Sequence, residues 1–180
     1  TGMGALSPLG HTCQETFDGL VEGQSGISRV SLFDPSNLAC QVAGEVKNFD
    51  PGDFMDRKMA RRIGRYAQLS IAATQEALDQ SGLDLENEDP SRISCMVSSA
   101  IGDFPMVEEQ MNSFFMGSRR AISPFTVPRV STSMAAGNIA LEYGLTGVSY
   151  GVSSACATGS HSLATAMMIL KLGLADVVLA

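Results

Sequence analysis

The sequence predicts an α/β fold, a mostly parallel mixed sheet lying between helices. Three observations carry that prediction. Short stretches of strand character alternate with helical stretches along the chain, the pattern of strand–helix–strand units. Ile93 to Ile101 is a run of β-branched and small residues, as expected of a strand buried on both faces. Gly147 to Leu172 reads as a strand, a tight turn and a helix, with a cysteine at the turn.

Taken in order, Gly2, Gly4, Pro8 and Gly10 make an early loop. Thr12 is placed to N-cap a helix through about Glu22, with Glu15 three residues on as a capping box, and Gly23 and Gly26 end it. Residues 27–53 mix short apolar pieces with Pro35 and Pro51 and read as mostly loop, with one short strand near Gln41 to Val46. Asp53 opens a long helix to about Ser81, stopped by Gly82; Met55, Met59, Ile63, Ala67, Ile71 and Leu78 keep helical spacing and are its core face. An acidic, proline-containing loop (84–92) precedes the buried strand, which Gly102 breaks. A helix runs from Pro105 to about Phe115, residues 117–129 form a loop with Pro124 and Pro128, and helix resumes from Val130 to Tyr143. A last strand begins at Asp176.

The central stretch carries the chemistry. Val148, Tyr150 and Val152 alternate with smaller residues, as in a short buried strand. Ser153, Ser154 and Ala155 are small enough for a sharp turn. Ala157 to Leu172 is a helix stopped by Gly173. Cys156 therefore sits at the positive end of a helix dipole, which favours thiolate over thiol and activates a nucleophile. Its own N–H is placed to stabilise an oxyanion. A buried core cysteine is the bland alternative. The small residues Ala155, Ala157 and Gly159 argue against it by leaving room around the sulfur.

Composition sets limits. Apolar residues make up 44% of the chain and charged residues 17%, as in a globular protein. A net charge of −7 is unlike a general nucleic-acid binder. The four cysteines lack metal-ligand spacing, and no apolar run is long enough to span a membrane, so reduced thiols in a cytoplasmic compartment are expected. Five of the twelve basic residues (Arg57, Lys58, Arg61, Arg62 and Arg65) fall within nine positions, with Arg57, Arg61 and Arg65 on one helix face. A solvated face is the bland reading; a docking face for a small acidic partner is the functional one.

Gly147, Val152, Ala155, Cys156, Ala157, Thr158, Gly159 and Leu163 together fill the places of a known active-site motif. The stretch resembles that of the β-ketoacyl-acyl-carrier-protein synthases, the condensing enzymes of fatty-acid synthesis, and is most similar to the elongating synthase II type. The likeness extends from Thr1-Gly-Met-Gly through Ile122-Ser-Pro-Phe to Asp176-Val-Val-Leu-Ala. It implies the thiolase-like fold, with residues 1–180 as its N-terminal half and two catalytic histidines and a lysine in a C-terminal half beyond them. Thr1-Gly-Met-Gly and Val177 to Ala180 both look cut, which matches that expectation.

The resemblance further implies that Cys156 is acylated and that malonyl-carrier condenses with it, without metal or diffusible redox cofactor. An acyl carrier protein would dock on Lys58, Arg61, Arg62 and Arg120, and the enzyme would be a homodimer. Ile101 would line the acyl pocket, although plain core packing is the simpler reading of an isoleucine. Thr126 stands where many relatives have an aromatic, and Ala121 where they often have a second basic residue. His161, five residues after Cys156, points to another side of the helix and reads as a structural histidine. His11 shows no partner in the sequence. Two rivals stand beside this reading: within the class, a ketosynthase of a polyketide pathway, and in a different class, a non-catalytic partner subunit. The first usually reads Asp-Thr-Ala-Cys-Ser-Ser where this chain has Ser153-Ser-Ala-Cys-Ala-Thr, and the second lacks the cysteine.

Overall fold

Thr12 begins the first helix as its spacing predicts. In a computed structural model, which describes residues 1–116 and 122–180, its Oγ1 accepts the Glu15 N–H at 3.1 Å. The reciprocal arm of the capping box is displaced by one residue: Glu15 Oε2 accepts the His11 N–H at 2.6 Å. Helix α1 is Cys13–Val21. It belongs to the first of two units, formed by residues 1–54 and 72–83. The same unit holds β1 (Ile27–Arg29) and β2 (Val42–Gly44), an antiparallel pair with Ser28 opposite Ala43. The β2 strand is the one expected near Gln41; β1 lies in the expected loop, where three residues carry too little periodicity to mark a strand. His11 has the partners that sequence could not show: its Nε2 meets the Lys47 carbonyl at 2.7 Å, and its ring meets Phe49 edge-on.

The second unit comprises residues 55–71 and 84–180. The long helix expected from Asp53 to Ser81 is interrupted within residues 55–71 of this unit. Asp56 caps a single turn, α2 (Arg57–Ala60), by accepting the Lys58 and Met59 N–H groups, and α3 restarts at Arg65 and runs to Ser81. The Gln68 side chain donates to the Ala60 carbonyl that the break leaves open. Met55, Ile63, Ala67, Ile71 and Leu78 are buried as expected, and Met59 is half-buried. The expected common face of Arg57, Arg61 and Arg65 is lost, because the break falls between them.

Strand β3 (Ile93–Cys95) pairs in parallel with β4 (Val177–Leu179), and a parallel bridge joins Cys95 to Ser149 on its other side. β3 is thus central among these three segments, and all its residues are buried. The strand is shorter than expected: after Met96 donates to the Leu179 carbonyl, Ser98 and Ser99 bond to Thr132 instead. The segment before Cys156 is likewise reduced to one bridge. Val148 and Tyr150 point outward, 46% and 44% exposed, while Ser149 Oγ accepts the Cys95 N–H. The alternation is present, but Ser149 and not the larger side chains faces β3.

Helix α4 (Phe104–Phe115) carries Pro105 in its first turn. Within the expected loop stands a short helix, α5 (Thr126–Val130), and α6 is Met134–Glu142, shorter than expected because Ser131 is extended. α6 packs on β3, and α7 (Thr158–Lys171) packs on β4, with Met96, Ile169 and Ala175 at the core and Val178 against them. α7 ends at left-handed Gly173, whose N–H donates to Leu170 while Leu174 donates to Ile169. Its inward face is Thr158, Ser162, Ala166 and Ile169; Leu163, Met167 and Leu170 face outward. Asp103 is buried and takes two bonds from Arg129, Nε at 2.7 Å and Nη2 at 2.6 Å. Burial and that carboxylate push the Tyr66 hydroxyl up to about 12, so it stays neutral and donates to the Ser131 carbonyl. Among the described residues no helix is long and apolar enough to cross a membrane.

Candidate active site

The turn that presents Cys156 is strained. Ala155 has φ +51°, a left-handed conformation costly for a residue with a Cβ. Ala155–Ala157 form a single 3₁₀ turn that runs into α7, so the regular helix begins at Thr158, one residue later than expected. Cys156 lies inside this turn and is exposed. No acceptor for its N–H occurs among the described residues, and the neighbouring Ala157 N–H takes the Ser154 carbonyl. A Cβ added at Gly159, three residues after the cysteine, would meet nothing within 4 Å.

Three bonds hold the turn. The Ser154 N–H donates to Thr158 Oγ1 at 3.0 Å, and that hydroxyl donates to the Ala155 carbonyl at 2.7 Å. His161 Nδ1 and Ser154 Oγ lie 2.6 Å apart. His161 is therefore engaged in tying the turn, as its structural reading expects. On the neighbouring side, Ser153 Oγ donates to the Ala100 carbonyl, which places the bend Ser99–Gly102 beside the cysteine turn. Ile101 sits on that bend, 67% exposed, so neither the buried strand end nor plain core packing describes it. Thr158 and Ser154 were not singled out from sequence as supports; the only signal was a hydroxyl in the first helical turn, which many helices share.

The other cysteines differ. Burial pushes the Cys95 thiol up to about 11. Burial, then the Glu76 charge, also raise Cys13. Cys40 is exposed and lies 3.6 Å from the Val42 carbonyl. No cluster of His, Cys, Asp or Glu able to hold a metal occurs among the described residues.

Lys58, Arg61 and Arg62 are exposed. Lys58 and Arg62 line a depression with Met59, Ile63 and Leu141, and the Arg62 guanidinium stands 5.4 Å over the Phe125 ring. Arg120 lies outside the described residues. An apolar cavity of about 630 Å³ lies between α4 and α5, lined by Met111, Phe114, Ile122, Thr126 and Val127 among others; Ile101 is not in its lining.

Comparisons with known proteins bear on this geometry. The family model described as Beta-ketoacyl synthase, N-terminal domain, matches residues 1–180. The 3-oxoacyl-[acyl-carrier-protein] synthase 2 of Vibrio harveyi is 38% identical over 180 residues, covering all of this chain and 43% of that protein. The synthase 2 of Synechocystis sp. is 34% identical over 175 residues, covering 97% of this chain and 42% of its own length. The chain thus spans less than half the length of these relatives. Among solved structures, the ishigamide ketosynthase/chain length factor superposes with a TM-score of 0.90 at 25% identity, over 99% of this chain and 45% of that one. A β-ketoacyl synthase from Burkholderia phymatum superposes with a TM-score of 0.83 at 24% identity, over 97% and 43%. The thiolase-like α/β half expected from the sequence is the fold these structures share.

Proposed function

The chain belongs to the β-ketoacyl synthase family through its N-terminal domain, and from that premise we propose that its protein condenses acyl and malonyl groups on a carrier, as a fatty-acid elongation enzyme. One observation carries the reading: an exposed thiol, Cys156, stands on a strained turn at the start of α7 with its own N–H free. The thiolate attacks the acyl-carrier thioester, the carrier thiol leaves, and the Cys156 N–H faces the oxyanion in between. Malonyl-carrier then loses carbon dioxide. Its carbanion attacks the Cys156 thioester, the C–S bond breaks, and a β-ketoacyl-carrier two carbons longer departs. Residues 1–180 serve as the N-terminal half, and two histidines and a lysine beyond residue 180 assist decarboxylation. Ile101, on the bend beside Cys156, lines the acyl pocket. The assembled enzyme is a cytoplasmic homodimer.

The test labels the full-length protein with a limiting thiol reagent and maps the adduct. Modification concentrates on Cys156, because burial holds Cys95, and burial with the Glu76 charge holds Cys13, away from thiolate. Predominant labelling of Cys13, Cys40 or Cys95 would sink the assignment. A second reading, a polyketide ketosynthase, draws on the likeness to the ishigamide ketosynthase. Condensation with saturated acyl-carriers, each step's keto group being reduced before the next, separates the two.

The acyl carrier protein is the proposed partner, docking on Lys58, Arg61 and Arg62 and on Arg120. Reversing charge at Arg61 and Arg62 raises KM for carrier-bound substrate about 10-fold, and added salt weakens wild-type binding. A small thioester analogue turns over nearly unchanged. Equal loss with both substrates would assign this face some other task.

A further inference from the structure

Thr158 is 5% exposed, yet its hydroxyl bonds on both sides to backbone of the cysteine turn rather than to its own helix alone. Resting on the condensation reading above, we propose that Thr158 is a positioning residue: its Oγ1 staples Ser154 to Ala155 and so holds Cys156 in its reactive placement. The physical case begins at Ala155. A φ of +51° is unfavourable for alanine, so something outside the residue must hold it. The Ala155 carbonyl accepts two donors from one residue, the Thr158 N–H and the Thr158 hydroxyl. The same hydroxyl accepts the Ser154 N–H. One buried oxygen thereby ties the N–H of the residue before the strained one to the strained residue's own carbonyl.

The competing support is weaker. The Ser154–His161 bond is on the exposed side, where water replaces either partner. Thr158 is buried, so water reaches its hydroxyl less readily than it reaches the Ser154–His161 pair. Without it, Ala155 relaxes toward negative φ, and Cys156, the next residue, turns with it. The Cys156 N–H rotates too, so thiolate and oxyanion donor are misplaced together. A displacement of about 1 Å costs about 100-fold in such a site.

The test uses the full-length protein with Thr158→Val, which keeps the shape and removes the hydroxyl, and Thr158→Ser, which keeps the hydroxyl. Four quantities are read: the second-order rate of Cys156 alkylation by iodoacetamide, kcat and KM for condensation, and the melting temperature. Thr158→Val is expected to lower alkylation and kcat about 10- to 100-fold with KM little changed, and Thr158→Ser to restore both. A lower melting temperature with wild-type alkylation and kcat in Thr158→Val would reduce the hydroxyl to a structural role and overturn the proposal. Should Thr158→Val fail to fold, Thr158→Ala against Thr158→Ser decides, since both lack the methyl group and only one has the oxygen. Equal alkylation in that pair overturns the proposal. The two readings fail separately: slowed alkylation in a protein that never condenses upholds the staple and removes the condensation function, whereas unchanged condensation in Thr158→Val does the reverse.

Discussion

Cys156→Ala in the full-length protein is expected to abolish acyl loading and to lower condensation by about 10³-fold or more, because the proposed covalent intermediate would have no other site. Folding is expected to be unaffected. Cys156 is exposed and its side chain bonds to nothing among the described residues, so truncation to alanine leaves no cavity and no orphaned partner. Such surface changes stay within about 0.5 kcal/mol. The pair of readouts is what gives the experiment force. Radiolabelled acyl-carrier and denaturant unfolding, run on the same preparation, should show loss in the first and coincidence with wild type in the second. Acyl transfer surviving in Cys156→Ala would place the nucleophile elsewhere. Loss of both activity and stability would mean that the turn, rather than the sulfur, had been damaged.

The sequence disclosed features that depend on local chemistry. The Thr12 cap, the glycine after α1 and the glycine after α7 rest on contacts within a few residues, the inward positions of α3 follow its helical period, and all stand as expected. The break between α2 and α3 was hidden for a physical reason. Met55, Ile63 and Ala67 keep a helical interval while the chain between them leaves the helix, so periodicity of the side chains survives a change in the backbone. The face on which Val148 and Tyr150 lie was hidden too, since a period of two does not say which side is inward. His11 found a partner 36 residues away.

At the candidate site the division is sharper. The cysteine, the small residues around it and the helix after it were legible from composition and spacing. The left-handed backbone at Ala155 was not, because alanine is not a residue that announces it. Nor was the role of Thr158, which acts on backbone groups that every sequence has. Ile101 reads as a core residue by type and is exposed in the fold, because the strand it was assigned to ends at Cys95.

Gly102→Ala is the largest stability loss expected in the second unit. Gly102 has φ +68°, and a Cβ built there would come within 2.8 Å of the Val130 carbonyl carbon and closer still to its oxygen. Both costs fall on backbone, which cannot rotate away as a side chain does. The left-handed conformation alone costs alanine about 1–2 kcal/mol. The clash with Val130 raises the total to about 3 kcal/mol or more, a large share of the roughly 5–15 kcal/mol that holds a domain folded. Gly23→Ala separates the two costs. Gly23 has φ +69° but nothing within 4 Å of an added Cβ, so it reports the conformational cost by itself. The difference between the two variants in urea unfolding then measures the close approach to Val130. The loss should reach the site as well. Relieving the clash moves the bend Ser99–Gly102, and with it the Ala100 carbonyl that receives Ser153 Oγ beside the cysteine turn. Slower Cys156 alkylation in folded Gly102→Ala, and not in Gly23→Ala, is the expected result. A Gly102→Ala protein no less stable than Gly23→Ala, with wild-type thiol reactivity, would show that the bend does not need the contact with Val130.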